Sequence, residues 1–298
     1  MKILFTGASG FLGKNIKKIL EKSNEITTIG ISNTDDIHVN LVNAIPQLEN
    51  QYDIILHAAG KAHVIPKTDE EKKAFFDVNL QGTKNLCSAL QKTSLPKAFI
   101  FVSTVAVYGC ETGENITEDH PLNGKTPYAL SKIQAEQFLT EWCNKNHVKL
   151  GIIRPSLIAG PNPPGNLGAM INGIQTGRYL SIAGGKARKS VLMVQDIANL
   201  VPSLAEKGGT FNVCDDEHPS FRELETIIAD QLNKHLPITI PYFVAKSMAL
   251  VGDLMGKKAP INSLKLMKIT KSLTFSNSKA KKELGWQPLS VKENFKIR

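Results

Sequence analysis

Cysteine is scarce in this chain of 298 residues, which has Cys87, Cys110, Cys143 and Cys214. They are widely spaced, form no Cys-x-x-Cys pair and have no histidine at the spacing of a metal ligand. The sequence therefore predicts neither a disulfide framework nor a zinc site, and no metal is expected. Scattered single thiols are typical of a reducing compartment, so a cytoplasmic location is expected.

Long apolar runs are also lacking. No stretch reaches the length of a membrane-spanning helix, and the apolar run at 1–5 stops at Thr6-Gly7, too early for a signal peptide. This run indicates a first strand, and stable membrane insertion is not expected. Apolar residues at 42% and charged residues at 21% are ordinary globular values, which excludes a disordered or fibrous chain.

Aromatic residues are few, at 6%, and they do not interleave with a basic run, although the net charge is +9. Without such a run or a nucleic-acid motif, we predict no nucleic-acid partner. A solvated basic face accounts for the charge; the alternatives are attraction of nucleotide anions or of an anionic membrane surface. The basic residues near the C-terminus are spread among apolar ones: Lys257, Lys258, Lys265, Lys268, Lys271, Lys279, Lys281 and Lys282.

The order of apolar patterns predicts alternating strands and helices. Because the strands are apolar throughout, they indicate a parallel sheet covered on both faces, and thus an α/β fold with a Rossmann-type doubly wound sheet. The predicted strands are 2–6, 25–31, 53–57, 98–103, 150–154 and 209–213, and the predicted helices are 11–22, 70–91, 128–144 and one starting near 196.

Proline and glycine become frequent after residue 154, at 155–168. Such a change of composition indicates a loop-rich second lobe. We therefore predict a dinucleotide-binding domain at 1–154, to which 190–215 returns. A smaller, partly discontinuous substrate-binding lobe is expected to comprise 155–189 and 216–298.

Gly7-x-x-Gly10-x-x-Gly13 follows the first strand and opens the first helix. Glycines at this spacing allow a tight turn and a close approach of the backbone to a pyrophosphate, which the helix N-terminus then binds. The pattern predicts a dinucleotide site formed by Gly7, Ser9, Gly10, Phe11, Leu12 and Gly13.

The end of the second predicted strand leads to Ser32 and Asn33, which are expected to line the cofactor. A carboxylate at this point binds the ribose of NAD and would repel the 2′-phosphate of NADP. No carboxylate stands there, Asp35 and Asp36 come slightly late, and there is no arginine to bind a phosphate. The cofactor is therefore NAD or NADP, and the choice stays open.

Tyr128 and Lys132 lie four positions apart and share one face of a predicted helix. A lysine ammonium there lowers the pKa of a phenol, which makes the tyrosine an acid/base. Thr104 follows a buried strand, where its hydroxyl can bond a substrate oxygen. Together with other motifs, the chain resembles the extended short-chain dehydrogenase/reductase, or NAD-dependent epimerase/dehydratase, family. The matching motifs are TGASGFLG (6–13), HAAG (57–60), VNLQGTKNL (78–86), STVAVYG (103–109), YALSK (128–132), RPSLIAGP (154–161), VQDIANLV (194–201), FNVCDDE (211–217) and LGWQP (284–288).

The resemblance implies roles for several residues. Thr104, Tyr128 and Lys132 would be catalytic, and Lys132 would also bind the cofactor ribose. His57 and Asn79 have alternatives, since His57 can simply end a strand and Asn79 can simply bond backbone. The cofactor would further be lined by His57, Ala58, Ala59, Gly60, Asn79 and Tyr128.

Two departures from the family pattern bear on the reaction. Relatives that dehydrate nucleotide sugars carry Asp-Glu where this chain has Val105 and Ala106, which argues against a 4,6-dehydratase. The arginine that grips the diphosphate in relatives falls on Lys189, with Arg188 adjacent, so either could bind it. A solvated basic turn is the alternative. Asn166 resembles the family's substrate-side asparagine.

These features predict an NAD(P)-dependent C4 epimerase or 4-keto reductase of a nucleoside-diphosphate sugar, with a UDP-sugar favoured. The alternatives are a reductase of small ketones or aldehydes and a non-catalytic cofactor-sensing protein. The oligomeric state is left open, with a homodimer as one option. The apolar segment 241–256 is typical of a buried helix of the second lobe; the alternative is that it lies on a bilayer, as in an enzyme acting on a lipid-linked sugar.

Overall fold

The computed structural model describes residues 1–255 and 261–298. Its strands, in chain order, are β1 (Lys2–Thr6), β2 (Glu25–Gly30), β3 (Ile37–His38), β4 (Ile54–His57), β5 (Ala98–Val102), β6 (Gly113–Ile116), β7 (Lys149–Pro155), β8 (Leu157–Ala159), β9 (Ser181–Ile182), β10 (Val191–Met193), β11 (Gly209–Val213), β12 (Thr239–Ile240) and β13 (Leu273–Phe275).

The α-helices connect these strands. They are α1 (Phe11–Leu20), α2 (Asp69–Phe76), α3 (Gly82–Thr93), α4 (Pro127–Asn146), α5 (Gly165–Gln175), α6 (Val194–Lys207), α7 (Phe221–Leu232), α8 (Tyr242–Met255), α9 (Ser263–Thr270), α10 (Ser278–Leu284) and α11 (Val291–Asn294).

The main sheet has seven strands in the order β11-β7-β5-β4-β1-β2-β3, and all its pairings are parallel. Successive residues of one strand enter different cores, since their side chains point to opposite faces of the sheet. Ile3 and Phe5 pack with α1 and α6, whereas Leu4 packs with α3 and α4. The predicted α/β class with a doubly wound parallel sheet is confirmed.

The predicted helix at 70–91 is interrupted. Between α2 and α3 the residues Asp77–Gln81 form a π-helical turn, in which the Gly82 amide donates to the Asp77 carbonyl five residues earlier. Apolar periodicity alone does not distinguish so short a turn from a continuous α-helix, so the pattern could not reveal it. The turn matters because it holds Asn79, and such turns are frequent at functional sites.

The later part of the chain divides between two cores. β11 pairs with β7 in the main sheet, and α10 packs into the core that contains β1. β10 instead pairs with β8, and α5, α7 and α11 enclose a separate apolar cluster beside it. The division into lobes at 154 and 190–215 stays a prediction.

Within the apolar segment 241–256, Tyr242–Met255 form α8, and residue 256 lies outside the described residues. Helix α8 packs against α9, but several of its large apolar side chains are exposed, so the expectation of a buried helix is wrong for that face. Across residues 1–255 and 261–298, no helix is both long and apolar enough to cross a bilayer.

Candidate active site

The turn between β1 and α1 is built for close backbone contact. Gly7 has a φ of +80°, and a Cβ there would lie 2.7 Å from the Ala59 amide nitrogen, on the neighbouring β4 loop. A Cβ on Gly13 would overlap the backbone of Gly7 and Ala8. Gly10 caps α1 without a side-chain hydrogen bond, so the first amides of the helix stay open. These features fit a dinucleotide pyrophosphate, which needs open amides and no intervening side chain.

The remaining residues of this turn divide by exposure. Ser9 is exposed, whereas Phe11 and Leu12 pack partly on the main core. The Phe11 and Leu12 side chains are thus used in packing, and their backbone amides remain as the groups that could meet a phosphate.

A carboxylate lies over the end of β2 after all. The chain turns after Ser32, whose amide donates to Asp35 Oδ2 at 3.0 Å, and a Cβ on Gly30 would be 2.5 Å from that oxygen. The next acid, Asp36, is bonded to the Thr28 amide and hydroxyl at 2.7 and 2.8 Å. Asn33 is exposed at the tip of the turn. Sequence reasoning missed Asp35 because linear position alone did not show the reversal.

His57 ends β4 inside a chain of hydrogen bonds. Its Nδ1 lies 2.7 Å from the Thr6 hydroxyl and its Nε2 2.8 Å from the Thr83 hydroxyl, which in turn donates to the Asn79 carbonyl. The Ala59 amide donates to the Thr6 hydroxyl. Burial lowers the pKa of His57 to about 3, so the ring is neutral. Its side chain therefore links the glycine turn to the π-helical turn.

Asn79 joins the loop after β4 to α4. Its Oδ1 accepts from the Lys61 amide at 2.7 Å, and its Nδ2 donates to the Ser131 hydroxyl at 2.8 Å. A Cβ on Gly60 would lie 3.1 Å from Asn79 Oδ1 and 3.2 Å from Lys132 Nζ. The HAAG loop, the π-helical turn and α4 thus converge at Gly60. No feature of the sequence indicated the part played by Ser131.

Thr104, Tyr128 and Lys132 are brought together at the carboxyl edge of the sheet. Thr126 caps α4 and Pro127 occupies its first turn, which places Tyr128 at the start of the helix. Thr104, just beyond β5, hydrogen-bonds the Tyr128 hydroxyl and so lowers its pKa, but burial outweighs this and the pKa of Tyr128 lies above its usual value.

The expectation that lysine lowers the pKa of this phenol is therefore not met in the structure. Lys132 Nζ donates to the Val102 carbonyl at 2.8 Å and lies 4.5 Å from the centre of the Phe101 ring. Lys132 is 3% exposed, and burial lowers its pKa to about 8. An ammonium held this way is close to titration near neutral pH.

A buried ion pair lies one turn further along α4. Arg154 donates to Glu136 Oε1 at 3.1 Å and to Oε2 at 2.6 Å, and the Ser103 hydroxyl donates to the same carboxylate. Arg154 also donates to the Tyr108 hydroxyl, which donates to Asn212 at 2.6 Å. Sequence reasoning missed this network, although Glu136 lies four residues after Lys132 on the same helix face.

The predicted substrate residues lie in three environments. Arg188 donates to the Glu217 and His218 carbonyls at 3.2 and 3.0 Å and lies 3.6 Å from Glu223. Lys189 donates to the Lys271 carbonyl at 3.0 Å, and burial lowers its pKa to about 8.

Asn166 is exposed in the first turn of α5. The preceding Gly165 touches the loop after β4, since a Cβ there would lie 2.8 Å from His63 Nδ1. Burial lowers the pKa of His63. The sequence did not point to His63 as a residue near the site, although it belongs to the HAAGKAH stretch. The loop that carries Gly60 thus reaches the helix that carries Asn166.

Comparison of the sequence with known families and proteins gives consistent matches. A profile described as the NAD dependent epimerase/dehydratase family matches residues 3–214. The chain is 28% identical to N-acetyl-alpha-D-glucosaminyl-diphospho-ditrans,octacis-undecaprenol 4-epimerase of Escherichia coli O157:H7, over 93% of this chain and 88% of the relative. It is 28% identical to UDP-glucose 4-epimerase of Vibrio cholerae (99% and 93% covered) and 27% identical to GDP-6-deoxy-D-mannose reductase of Pseudomonas aeruginosa (80% and 82%).

Solved structures share the fold. UDP-glucuronic acid 4-epimerase from Bacillus cereus in complex with NAD superposes with a TM-score of 0.75 at 19% identity, covering 98% of this chain and 95% of that one. RMD from Pseudomonas aeruginosa complexed with NADPH gives a TM-score of 0.73 at 21% identity, with the same coverage. At these identities the likeness concerns the fold alone.

Proposed function

Because the chain belongs to the NAD dependent epimerase/dehydratase family, we propose that it is a C4 epimerase of a nucleoside-diphosphate sugar, with a UDP-sugar favoured. Two of the relatives described above are 4-epimerases, which supports this reaction. The observation that carries the proposal is the cluster of Thr104, Tyr128 and Lys132 beside the Gly60 loop.

The cofactor would be a nicotinamide dinucleotide, held by the amides at the start of α1 and by the Gly60 loop. When bound, it would accept the C4 hydride and return it to the other face of the same carbon, so the reaction has no net redox change. We propose NAD rather than NADP because the Asp35 carboxylate at Gly30 would bind a ribose hydroxyl and repel a 2′-phosphate.

In this proposal one side chain of the cluster transfers a proton, and the others stabilise and position it. The Tyr128 phenolate takes the proton of the C4 hydroxyl and later returns it. The Thr104 hydroxyl favours the phenolate through its hydrogen bond, which opposes the effect of burial. Lys132 supplies a positive charge one helical turn away and a donor for the cofactor ribose. Asn79 keeps the loop and α4 in register through Lys61 and Ser131.

The substrate diphosphate is assigned to Lys189 rather than to Arg188. The guanidinium of Arg188 is already engaged by two carbonyls and Glu223. The ammonium of Lys189 has a lowered pKa and lies near Glu111, which follows the Thr104–Tyr108 stretch. A partly desolvated cation gains more from a bound diphosphate than one already neutralised. Asn166 would contact the sugar side of the substrate.

Dehydration of the sugar is not proposed. Val105 and Ala106, which follow Thr104, carry no group that could remove a second proton or assist loss of water. A second candidate is reduction of a 4-keto sugar, which uses the same acid/base and is favoured by the similarity to GDP-6-deoxy-D-mannose reductase.

The test combines one variant with a substrate panel. Tyr128→Phe should reduce turnover by about 10²–10⁴-fold while cofactor binding persists, because only the acid/base is lost. The wild type is incubated with UDP- and dTDP-sugars and their 4-keto forms, with NAD(H) and NADP(H) in separate reactions. Formation of the C4 isomer without net redox supports the epimerase, and net cofactor oxidation supports the reductase.

Three results would contradict the proposal. Undiminished turnover of Tyr128→Phe would remove Tyr128 from the chemistry. Turnover of small ketones without any stabilisation by UDP would favour the small-ketone reductase. Cofactor binding with no turnover on the whole panel would favour a cofactor-sensing protein.

A further inference from the structure

In helix α8 the small side chains face the protein and large apolar side chains face outward. Surface helices of globular proteins bury their large apolar side chains and expose polar ones. In α8 the residues that face the protein are small, namely Ala245, Ala249 and Gly252, at the i, i+4, i+7 spacing of one helix face. They pack near α9 and Ile182, where the neighbouring side chains form a small core of their own. Because small residues form the contact, the large side chains of the helix lie on its outer side.

The opposite face exposes large apolar side chains. Phe243, Leu250 and Leu254 follow one another at i, i+7 and i+11, and they are 70%, 55% and 89% exposed. Val251, on the same side, is 58% exposed. Ile238, just before the helix, is 74% exposed. A continuous surface of this kind marks a binding site for an apolar partner.

The sequence of the segment that contains this face is strongly basic. The segment 234–271 has a single acidic residue, Asp253, and Glu111 from outside it pairs with Lys268 at 3.0 Å. Lysines still outnumber these carboxylates by seven to two, as the sequence gives Lys234, Lys246, Lys257, Lys258, Lys265, Lys268 and Lys271. Lys246 is exposed and lies between Phe243 and Leu250 along the outer face.

We propose that the outer face of α8 binds the surface of an anionic lipid bilayer. Such a surface combines an apolar interior with negative headgroups, and it matches a helix with exposed large apolar side chains in a lysine-rich segment of the chain. A second copy of this chain is a poorer partner, because a symmetric contact would bring two such lysine-rich segments together. The helix would lie in the interface rather than cross it, since α8 has 14 residues.

Binding at this face would hold a defined part of the molecule at the membrane. Lys271 caps the C-terminus of helix α9, and its carbonyl accepts from Lys189 Nζ. The same region contains β12, which pairs with β9 ahead of the Arg188–Lys189 segment. The lobe assigned to the substrate diphosphate would therefore face the bilayer. Membrane binding itself does not depend on the proposed reaction.

Flotation of the full chain with vesicles tests the proposal. Vesicles of phosphatidylcholine with phosphatidylglycerol are compared with phosphatidylcholine alone, at low and high salt. Wild type should float with the anionic vesicles, and less so at high salt because screening weakens the lysine contribution. Phe243→Ser with Leu254→Ser should lower the partition coefficient at least about tenfold, and Lys246→Glu about fivefold.

Leu95→Ser is the matched control, since Leu95 is 42% exposed in the loop before β5. This variant should float like wild type. The circular dichroism and melting temperature of every variant are measured, so that unfolding is separated from loss of binding. Absence of wild type from the anionic vesicles would overturn the proposal. So would a wild-type dimer in analytical ultracentrifugation that the double variant abolishes, because the face would then serve self-association. Epimerase assays without vesicles fail or succeed independently of these results.

Discussion

Lys132 and Glu136 lie one turn apart on α4, and both are buried, yet their charges are held in opposite ways. The Glu136 carboxylate receives two hydrogen bonds from Arg154 and one from Ser103. Within the described part of the chain, the Lys132 ammonium forms no ion pair, and it donates to the Val102 carbonyl. A fully paired charge indicates a structural role. A buried cation whose pKa has dropped to about 8 indicates a site that gains from a bound anion or polar ligand.

The same contrast occurs twice more in the molecule. Asp36 is bonded to both donors of Thr28, while Asp35 accepts from the Ser32 amide and leaves the rest of its carboxylate over Gly30. Arg188 is engaged by carbonyls and Glu223, while Lys189 has a lowered pKa. In each pair we assign a structural role to the residue whose charge is paired or fully hydrogen-bonded, and a functional role to the other residue.

Removal of the Lys132 charge should give the largest effect. Lys132→Met should lower kcat/KM by about 10²–10⁴-fold, whereas the free energy of unfolding stays constant or rises because a buried charge is lost. Urea unfolding and steady-state kinetics measure the two effects. Lys145→Met, the same change at an exposed position of α4, should alter neither. A large loss of stability in Lys132→Met would show that Lys132 is structural.

Breaking the neighbouring ion pair should act mainly on stability. Arg154→Met leaves the Glu136 carboxylate buried without its partner and should lower the free energy of unfolding by about 3–5 kcal/mol. The double variant Arg154→Met with Glu136→Leu should recover most of that loss, since neither charge remains. Urea unfolding of both variants checks this. Equal instability of the single and double variants would contradict the assignment.

The pH dependence of stability should carry the signature of Lys132. Between its folded pKa of about 8 and the ordinary lysine value of 10.5, the unfolded chain binds more protons than the folded one. Stability contributed by this group therefore rises as the pH increases through that window, by about 3 kcal/mol. The difference between wild type and Lys132→Met, taken at each pH by urea unfolding, isolates the effect. A flat difference would mean that the ammonium is not desolvated.

Substitution of the two aspartates after β2 should show that one affects the choice of cofactor and the other affects stability. Asp35→Asn should reduce the preference for NAD over NADP roughly tenfold, because the repulsion of a 2′-phosphate is lost. Asp36→Asn should leave the preference unchanged and lower the melting temperature, since Asp36 bonds Thr28. Cofactor titrations followed by fluorescence measure the ratio. An equal change of preference in both variants would reject the assignment of Asp35.

The basic pair at 188–189 should show the smallest contrast. Lys189→Ala should raise KM for the UDP-sugar about tenfold, and Arg188→Ala less than about twofold, because only the first removes a cation available to the diphosphate. Initial-rate kinetics on both variants, with UDP-induced thermal stabilisation as a second readout, measures the difference. The reverse ranking would return the diphosphate to Arg188.

Much of the fold could be predicted from the sequence. The family resemblance and the α/β class are confirmed, and the strand at 209–213 has the bounds of β11. These features depend on local patterns, since strand and helix periodicities and the glycine turn are written in consecutive residues. The π-helical turn at Asp77–Gln81 was not predictable, because apolar periodicity alone does not distinguish so short a turn from a continuous α-helix.

By itself, the sequence determined which chemistry-bearing residues follow which strands: the glycine turn, Thr104 after β5, and Tyr128 with Lys132 on one helix face. Tertiary structure alone decided which charges are paired, since Glu136 meets Arg154 from β7, 18 residues away, and a chain reversal returns Asp35 to Gly30. It also decided the direction of α8. Apolar periodicity reports that a helix has an apolar side, but only the packing of Ala245, Ala249 and Gly252 determines that the large side chains face outward.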